Sequence, residues 1–208
     1  MNRLKTSSKR TPIPLGRIII ISGPSGSGKT TLHKRLLASP KLKGRVVKSV
    51  SATTRSRRTG ERPGRDYIFL SLKTFLAKQA AGHFLEAQKV FDSYYGTPAR
   101  NVARLLRKGK YVLLCIDVKG AKVVRQKCPD TLKVFIRTPT LAVLKERLKK
   151  RGTESPQDLK TRLNTARHEL AQVKYYDYVI INDNLAKAYR KLEGWVCRQI
   201  KGRSQRKV

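Results

Sequence analysis

One run of eight residues, Gly23-Pro24-Ser25-Gly26-Ser27-Gly28-Lys29-Thr30, has the types and spacing to hold a phosphate. Its glycines let the backbone curl until the N–H groups point inward at an anion, and a helix beginning at Lys29 adds the positive end of its dipole. Lys29 would reach the β- and γ-phosphates of a nucleoside triphosphate, and the Thr30 hydroxyl would ligate Mg2+. An ordinary Gly/Ser turn has a similar composition. This run stands directly after an apolar strand and directly before a helical pattern, which is the context phosphate binding requires.

The elements that must position the loop can be read around it. Short apolar runs at Ile18–Ser22, Tyr111–Asp117, Leu132–Arg137 and Tyr178–Asn182 predict buried strands. Between them, one-sided apolar spacing predicts helices at Lys29–Ala38, Pro98–Arg107, Ala121–Lys127, Leu141–Arg151, Gln157–Val173 and Leu185–Ile200. This alternation predicts an α/β sandwich with a parallel sheet core. The rhythm breaks between Val46 and Thr97, where short β-like pieces (Val46–Ala52, Tyr67–Leu70, Phe84–Lys89) and a helix near Leu72–Ala81 read as a small inserted subdomain. A second irregular patch, Gly152–Pro156, separates two basic helices and reads as the tip of a lid.

The chain has 208 residues, enough for one substantial core. Its strongest apolar run, Ile18–Ile21, is far short of the roughly 20 residues that span a membrane, so no membrane partner is expected. Three scattered cysteines and no apolar leader fit a reducing cytoplasm, and the three histidines are too dispersed to suggest a metal site by spacing. Residues 1–16 and 201–208 read as basic flexible tails around a domain at 17–200. The balance of 48 Lys and Arg against 13 Asp and Glu gives a net charge of +35. Such a field attracts nucleotides and any other polyanion, and the charge alone names no ligand.

Three further runs carry a resemblance: Ser49-Val50-Ser51-Ala52-Thr53-Thr54-Arg55-Ser56-Arg57-Arg58-Thr59-Gly60-Glu61, then Gly64-Arg65-Asp66-Tyr67, then Tyr94-Tyr95-Gly96-Thr97. With the phosphate loop, and in this order, they resemble the guanylate kinase family from about Arg17 to about Ile200. The resemblance implies a P-loop NTPase three-layer sandwich with a GMP-binding subdomain at about 46–97 and a helical lid at about 141–173. It also implies transfer of the ATP γ-phosphoryl group to GMP, with Mg2+ as cofactor, ATP as co-substrate and dGMP left open as an acceptor. Either a monomer or a homodimer is compatible with it.

Residue by residue, the implied roles make chemical sense. Arg55 and Arg58 present forked donors suited to a phosphate dianion, while Tyr67 and Tyr95 offer compact uncharged hydroxyls; together they would hold the GMP phosphate, and the resemblance also implies Glu61 among the GMP-binding residues. Taken singly, such arginines are solvated turn residues and such tyrosines half-buried packing; their joint occurrence reverses that reading. Guanine recognition falls by resemblance to Glu86 with Ser51, Thr97 and Asp117. A carboxylate facing guanine's N1–H and amino group, with a hydroxyl facing O6, matches guanine and mismatches adenine. Arg147, Arg151 and Arg162 would stabilise charge on the transferring phosphoryl group, and Asn182 resembles a position near the adenine.

The sequence departs from the family pattern at Cys115, where an acid near the phosphates is usual, so weaker metal positioning and slow turnover are implied. Arg57 at a common proline position and Pro63 in the next turn would change loop stiffness more than chemistry. Two other functions remain open on the residues alone. One is a non-catalytic module gripping a phosphopeptide through Arg55, Arg58 and Tyr67. The other is a kinase that also binds nucleic acid through its positive charge, with an affinity that falls steeply with salt.

Overall fold

In the computed structural model, which describes residues 16–150 and 156–205, the isoleucine run Ile18–Ser22 becomes β1, the middle strand of a five-stranded parallel sheet. Its neighbours are β7 (Tyr111–Cys115) and β8 (Leu132–Arg137), with β2 (Val46–Lys48) and β9 (Tyr178–Ile181) at the edges, giving the order β2-β7-β1-β8-β9. Side chains alternate across a strand, so the run serves both faces. Ile19 and Ile21 pack with α1 (Lys29–Leu37) and α7 (Leu185–Gln205), while Ile18 and Ile20 pack with α3 (Ala99–Arg107) and α4 (Val118–Lys127). All four isoleucines are buried, each worth about 1.5–3 kcal/mol relative to exposure. Truncating one to alanine would cost about 2–5 kcal/mol.

The chain leaves β1 toward one face through α1 and leaves β7 toward the other through α4. At such a divergence the loops beyond the carboxyl ends of two adjacent parallel strands flank a crevice. Here those loops are the 23–28 run and Ile116-Asp117, joined where Ser22 Oγ donates to the Ile116 carbonyl at 2.8 Å.

Among the described residues a second sheet has the order β4-β3-β6-β5, from β3 (Ala52–Thr53), β4 (Ile68–Phe69), β5 (Phe84–Val90) and β6 (Ser93–Pro98). Helix α2 (Leu72–Ala80), capped by Ser71, packs on it through the fully buried Phe75. The Phe75 ring stacks on Phe84 at 4.7 Å, over Gly96, where a Cβ would come within 3.0 Å of Phe84 and 3.1 Å of Phe75. Completing the chain order, α5 (Leu141–Lys149) and α6 (Pro156–Leu170) pack together through Leu144, Leu148 and Ala166.

Several boundaries differ from the sequence expectation. The single extended piece expected at Val46–Ala52 divides, because Val46–Lys48 pairs with β7 in the first sheet while Ala52–Thr53 belongs to the second. The expected strand at Tyr111–Asp117 stops at Cys115 and its helix starts at Val118, because the Asp117 carboxylate caps α4 by accepting from Gly120 N at 2.7 Å. Strand β6 has no alternating apolar pattern and was not expected. Residues 201–205, expected in the basic tail, continue α7. The expected lid tip at Gly152–Pro156 lies, apart from Pro156, outside the described residues. No helix among the described residues is long and apolar enough to cross a membrane.

Candidate functional site

The loop between β1 and α1 is shaped by positions that admit only glycine. At Gly28 φ is 94° and a Cβ would strike the Asn182 amide; at Gly23 φ is 140° and a Cβ would strike the Ile136 carbonyl. Lys29 opens α1 and turns its amine back over the loop, donating to the Gly23 carbonyl and, at 2.8 Å, to that of Pro24. Ser27 Oγ is buried inside the loop without a hydrogen-bond partner, and Thr30 is exposed in the first turn of α1. Asn182, at the carboxyl end of β9, is buried and braces the loop by donating from Nδ2 to the Ser27 carbonyl at 2.8 Å. Arg147 in turn donates to the Asn182 carbonyl at 2.8 Å.

A cationic and aromatic cluster lies on the second sheet. Arg55 pairs with Glu61 at 2.7 Å, and Glu61 also accepts from the Arg58 backbone N–H at 2.9 Å. Burial works against the Arg55 charge, but hydrogen bonds to Glu61 and Tyr95 outweigh it and raise the pKa of the guanidinium. Its carbon lies 5.5 Å from the centre of the Tyr67 ring, which meets Tyr95 edge-on at 6.0 Å. Arg55, Glu61, Tyr67 and Tyr95 therefore come together, while the Arg58 side chain is exposed beside them. Glu61, expected among the GMP-binding residues, is engaged by the arginine and by the turn.

Glu86 lies 4% exposed on β5, where the pairing with β6 shifts register between Phe84 and Glu86. Such an irregularity re-aims a side chain, and here it brings Glu86 Oε1 within 2.6 Å of the donating Thr97 hydroxyl. The other oxygen rests over the start of α4: a Cβ on Gly120 would lie 2.7 Å from Oε2 and 3.3 Å from Asp117 Oδ1. Burial, and to a lesser degree the Asp117 charge, push the Glu86 carboxyl up to about 7 against the pull of Thr97. Burial raises Asp117 as well. Ser51 leads into β3, half-buried, with its carbonyl accepting from Ile68 N.

The helices α5 and α6 close the other side. Leu144 and Leu148 of α5 line Gly26, and Arg162 of α6 places Nη1 3.4 Å from Ser25 Oγ. Arg151 lies outside the described residues.

Three residues that the sequence reading passed over also belong to this region. Lys48, at the carboxyl end of β2, donates to the carbonyls of Asp66 at 2.7 Å and Arg65 at 3.1 Å, and its Nζ lies 5.6 Å from the Tyr67 ring centre. Burial lowers its pKa. Glu169 lies two helical turns beyond Arg162, and burial raises its pKa although Lys29 draws it down. Phe91, in the β5–β6 turn, contacts Arg162. No signal in the sequence marked them: Lys48 falls inside the extended piece expected at Val46–Ala52, and Glu169 and Phe91 belong to no motif.

The donor set fits Mg2+. The Thr30 hydroxyl stands at the loop, Asp117 and Glu169 both interact electrostatically with Lys29, and the described residues hold no cluster of three His, Cys, Asp or Glu. Mg2+ needs few protein oxygens when substrate phosphates and water complete its shell. At Cys115 burial keeps the thiol protonated despite Lys29 and Lys48, so these lysines face a neutral group where an acid was expected.

Comparison with known proteins adds a further finding. Residues 15–199 match the family described as guanylate kinase. The chain is 43% identical over 178 residues to guanylate kinase of Clostridium perfringens (strain SM101 / Type A), covering 86% of this chain and 81% of that protein. It is 40% identical over 179 residues to guanylate kinase of Clostridioides difficile (strain 630), covering 86% of each. The crystal structure of guanylate kinase from Anaplasma phagocytophilum superposes with a TM-score of 0.72 at 31% identity, covering 88% of this chain and 85% of that one.

Proposed function

The chain belongs to the guanylate kinase family, and from that premise we propose how its own residues carry the transfer of the ATP γ-phosphoryl group to GMP. The observation that carries the assignment is a complete phosphate loop, with Lys29 over its mouth, in one chain with a buried carboxylate paired to a hydroxyl. A peptide-binding module has no use for the first.

The 23–30 loop receives the ATP phosphates on its inward N–H groups, and Lys29 exchanges its carbonyl partners for phosphate oxygens. Thr30 would hold Mg2+, which when bound supplies positive charge to the phosphate oxygens. The second sheet receives GMP. Arg55, Tyr67 and Tyr95 bind its phosphate, with Arg58 alongside, and Glu61 holds Arg55 in a fixed orientation. Glu86, ionised, accepts from guanine N1–H and the amino group, while Ser51, Thr97 and Asp117 complete the pocket. Asn182 keeps the loop in shape from the side where adenine would lie. Arg147 and Arg162, from α5 and α6, direct charge at the phosphoryl group as it moves between the two phosphates. Bringing those phosphates into line and neutralising them provides most of the rate, and no side-chain nucleophile is needed.

The test is to incubate the protein with MgATP and, separately, GMP, AMP, CMP and UMP, following ADP and nucleoside diphosphate. ADP and GDP should form together with GMP alone, Lys29→Ala should abolish turnover, and Glu86→Ala should erode the preference for GMP over AMP. Equal use of AMP by the unaltered protein would overturn the assignment of Glu86.

A further inference from the structure

The hairpin joining β5 to β6 turns on two residues, Phe91 and Asp92, because Val90 pairs with Ser93. Two-residue hairpin turns take positive φ at their first central position, and glycine is the residue that adopts it without steric conflict. Here that position holds Phe91 at φ 52°, the one positive-φ residue other than glycine among the described residues. Phe91 is 42% exposed, so burial does not account for it either. A bulky side chain kept in a strained, exposed place points to a function for that side chain.

The ring has a partner. The Arg162 guanidinium carbon lies 4.5 Å from its centroid, and the same guanidinium reaches Ser25 of the phosphate loop with Nη1 at 3.4 Å. One arginine thus touches the hairpin of the second sheet and the loop of the first.

We propose that Phe91 is a positioning residue for phosphoryl transfer, its ring holding the Arg162 guanidinium over the phosphate loop. This rests on the reading of Arg162 as a group that meets the transferring phosphoryl. The aromatic face attracts the cation through its quadrupole and so favours one placement of the guanidinium. It also confines a long side chain that otherwise samples many rotamers. Phe91 sits on the hairpin whose first strand carries Glu86, so the contact ties the GMP side to the arginine that serves the γ-phosphate.

Steady-state kinetics of Phe91→Ala, Phe91→Leu, Phe91→Tyr, Phe91→Gly, Arg162→Ala and the double variant Phe91→Ala/Arg162→Ala test this. Phe91→Ala and Phe91→Leu should lower kcat about three- to tenfold, with both KM values within about twofold. Phe91→Tyr, which keeps an aromatic face, should restore the rate. Phe91→Gly should be as slow as Phe91→Ala but melt at a higher temperature, since the turn is relieved, and this separates the ring from the fold. In the Arg162→Ala background Phe91→Ala should have no further effect. Wild-type turnover in Phe91→Leu, or an undiminished Phe91→Ala effect without Arg162, would overturn the proposal while leaving Arg162 in its role. An Arg162→Ala variant with unchanged kcat would overturn the reading of Arg162 itself.

Discussion

Glu86 is where function and stability conflict at the scale of one side chain. Burial lifts its carboxyl to about 7 from the 4.5 of a free glutamate, so the folded protein holds that proton longer than the unfolded chain. The stability this allows is complete below about pH 4.5 and is lost as pH rises through about 7, a loss on the order of 3 kcal/mol. Glu86→Gln keeps an acceptor for Thr97 and never ionises. Its denaturation midpoint should therefore exceed the wild type's at pH 8, by an amount that fades toward pH 5. Guanine's two donors call for the ionised form, so wild-type GMP affinity, measured by titration calorimetry, should strengthen between pH 6 and pH 8. The glutamine variant should bind GMP weakly with little pH dependence.

Between elements, the cross-sheet contact of Lys48 deserves a direct test. It ends β2 of the first sheet yet donates to two carbonyls of the turn that carries Tyr67 in the second. A half-buried ammonium held by backbone acceptors fixes that turn more firmly than a neutral donor would. Lys48→Met preserves most of the stem and removes the donors. It should raise KM for GMP on the order of tenfold, leaving KM for ATP much less changed, since the turn holds Tyr67 beside Arg55 and not the phosphate loop. Equal increases in both constants would place Lys48 with the loop instead.

The whole molecule carries a net charge of +35, of which Arg3, Lys5, Lys9 and Arg10 at one end and Arg198, Lys201, Arg203, Arg206 and Lys207 at the other account for nine. A charge of that size repels itself in the folded state and draws anionic substrates toward the crevice. Both effects weaken as the Debye length shrinks, from about 30 Å at 0.01 M to about 8 Å at 0.15 M salt. Raising KCl over that range should raise the melting temperature, by about 2–4 °C for each kcal/mol of repulsion removed. The same change should increase KM for both nucleotides. A melting temperature indifferent to salt would mean the charges are already locally compensated.

The sequence alone determined the phosphate loop and the strand before it, because one short run of residue types satisfies both the backbone shape and the anion. Burial of Ile18–Ile21 likewise followed from composition. The resemblance that the ordered segments carry also implied Arg55, Tyr67, Tyr95, Glu86 and Thr97 as candidates. Only the tertiary structure decided which of these meet. The division of Val46–Ala52 between two sheets, the capping of α4 by Asp117 and the register shift that aims Glu86 at Thr97 depend on residues far apart in the chain. Local periodicity carries no information about such pairings. The same holds for Lys48, Glu169 and Phe91, whose types and neighbours in sequence are unremarkable. Their partners lie 17 or more residues away and are set by how the sheets and helices pack.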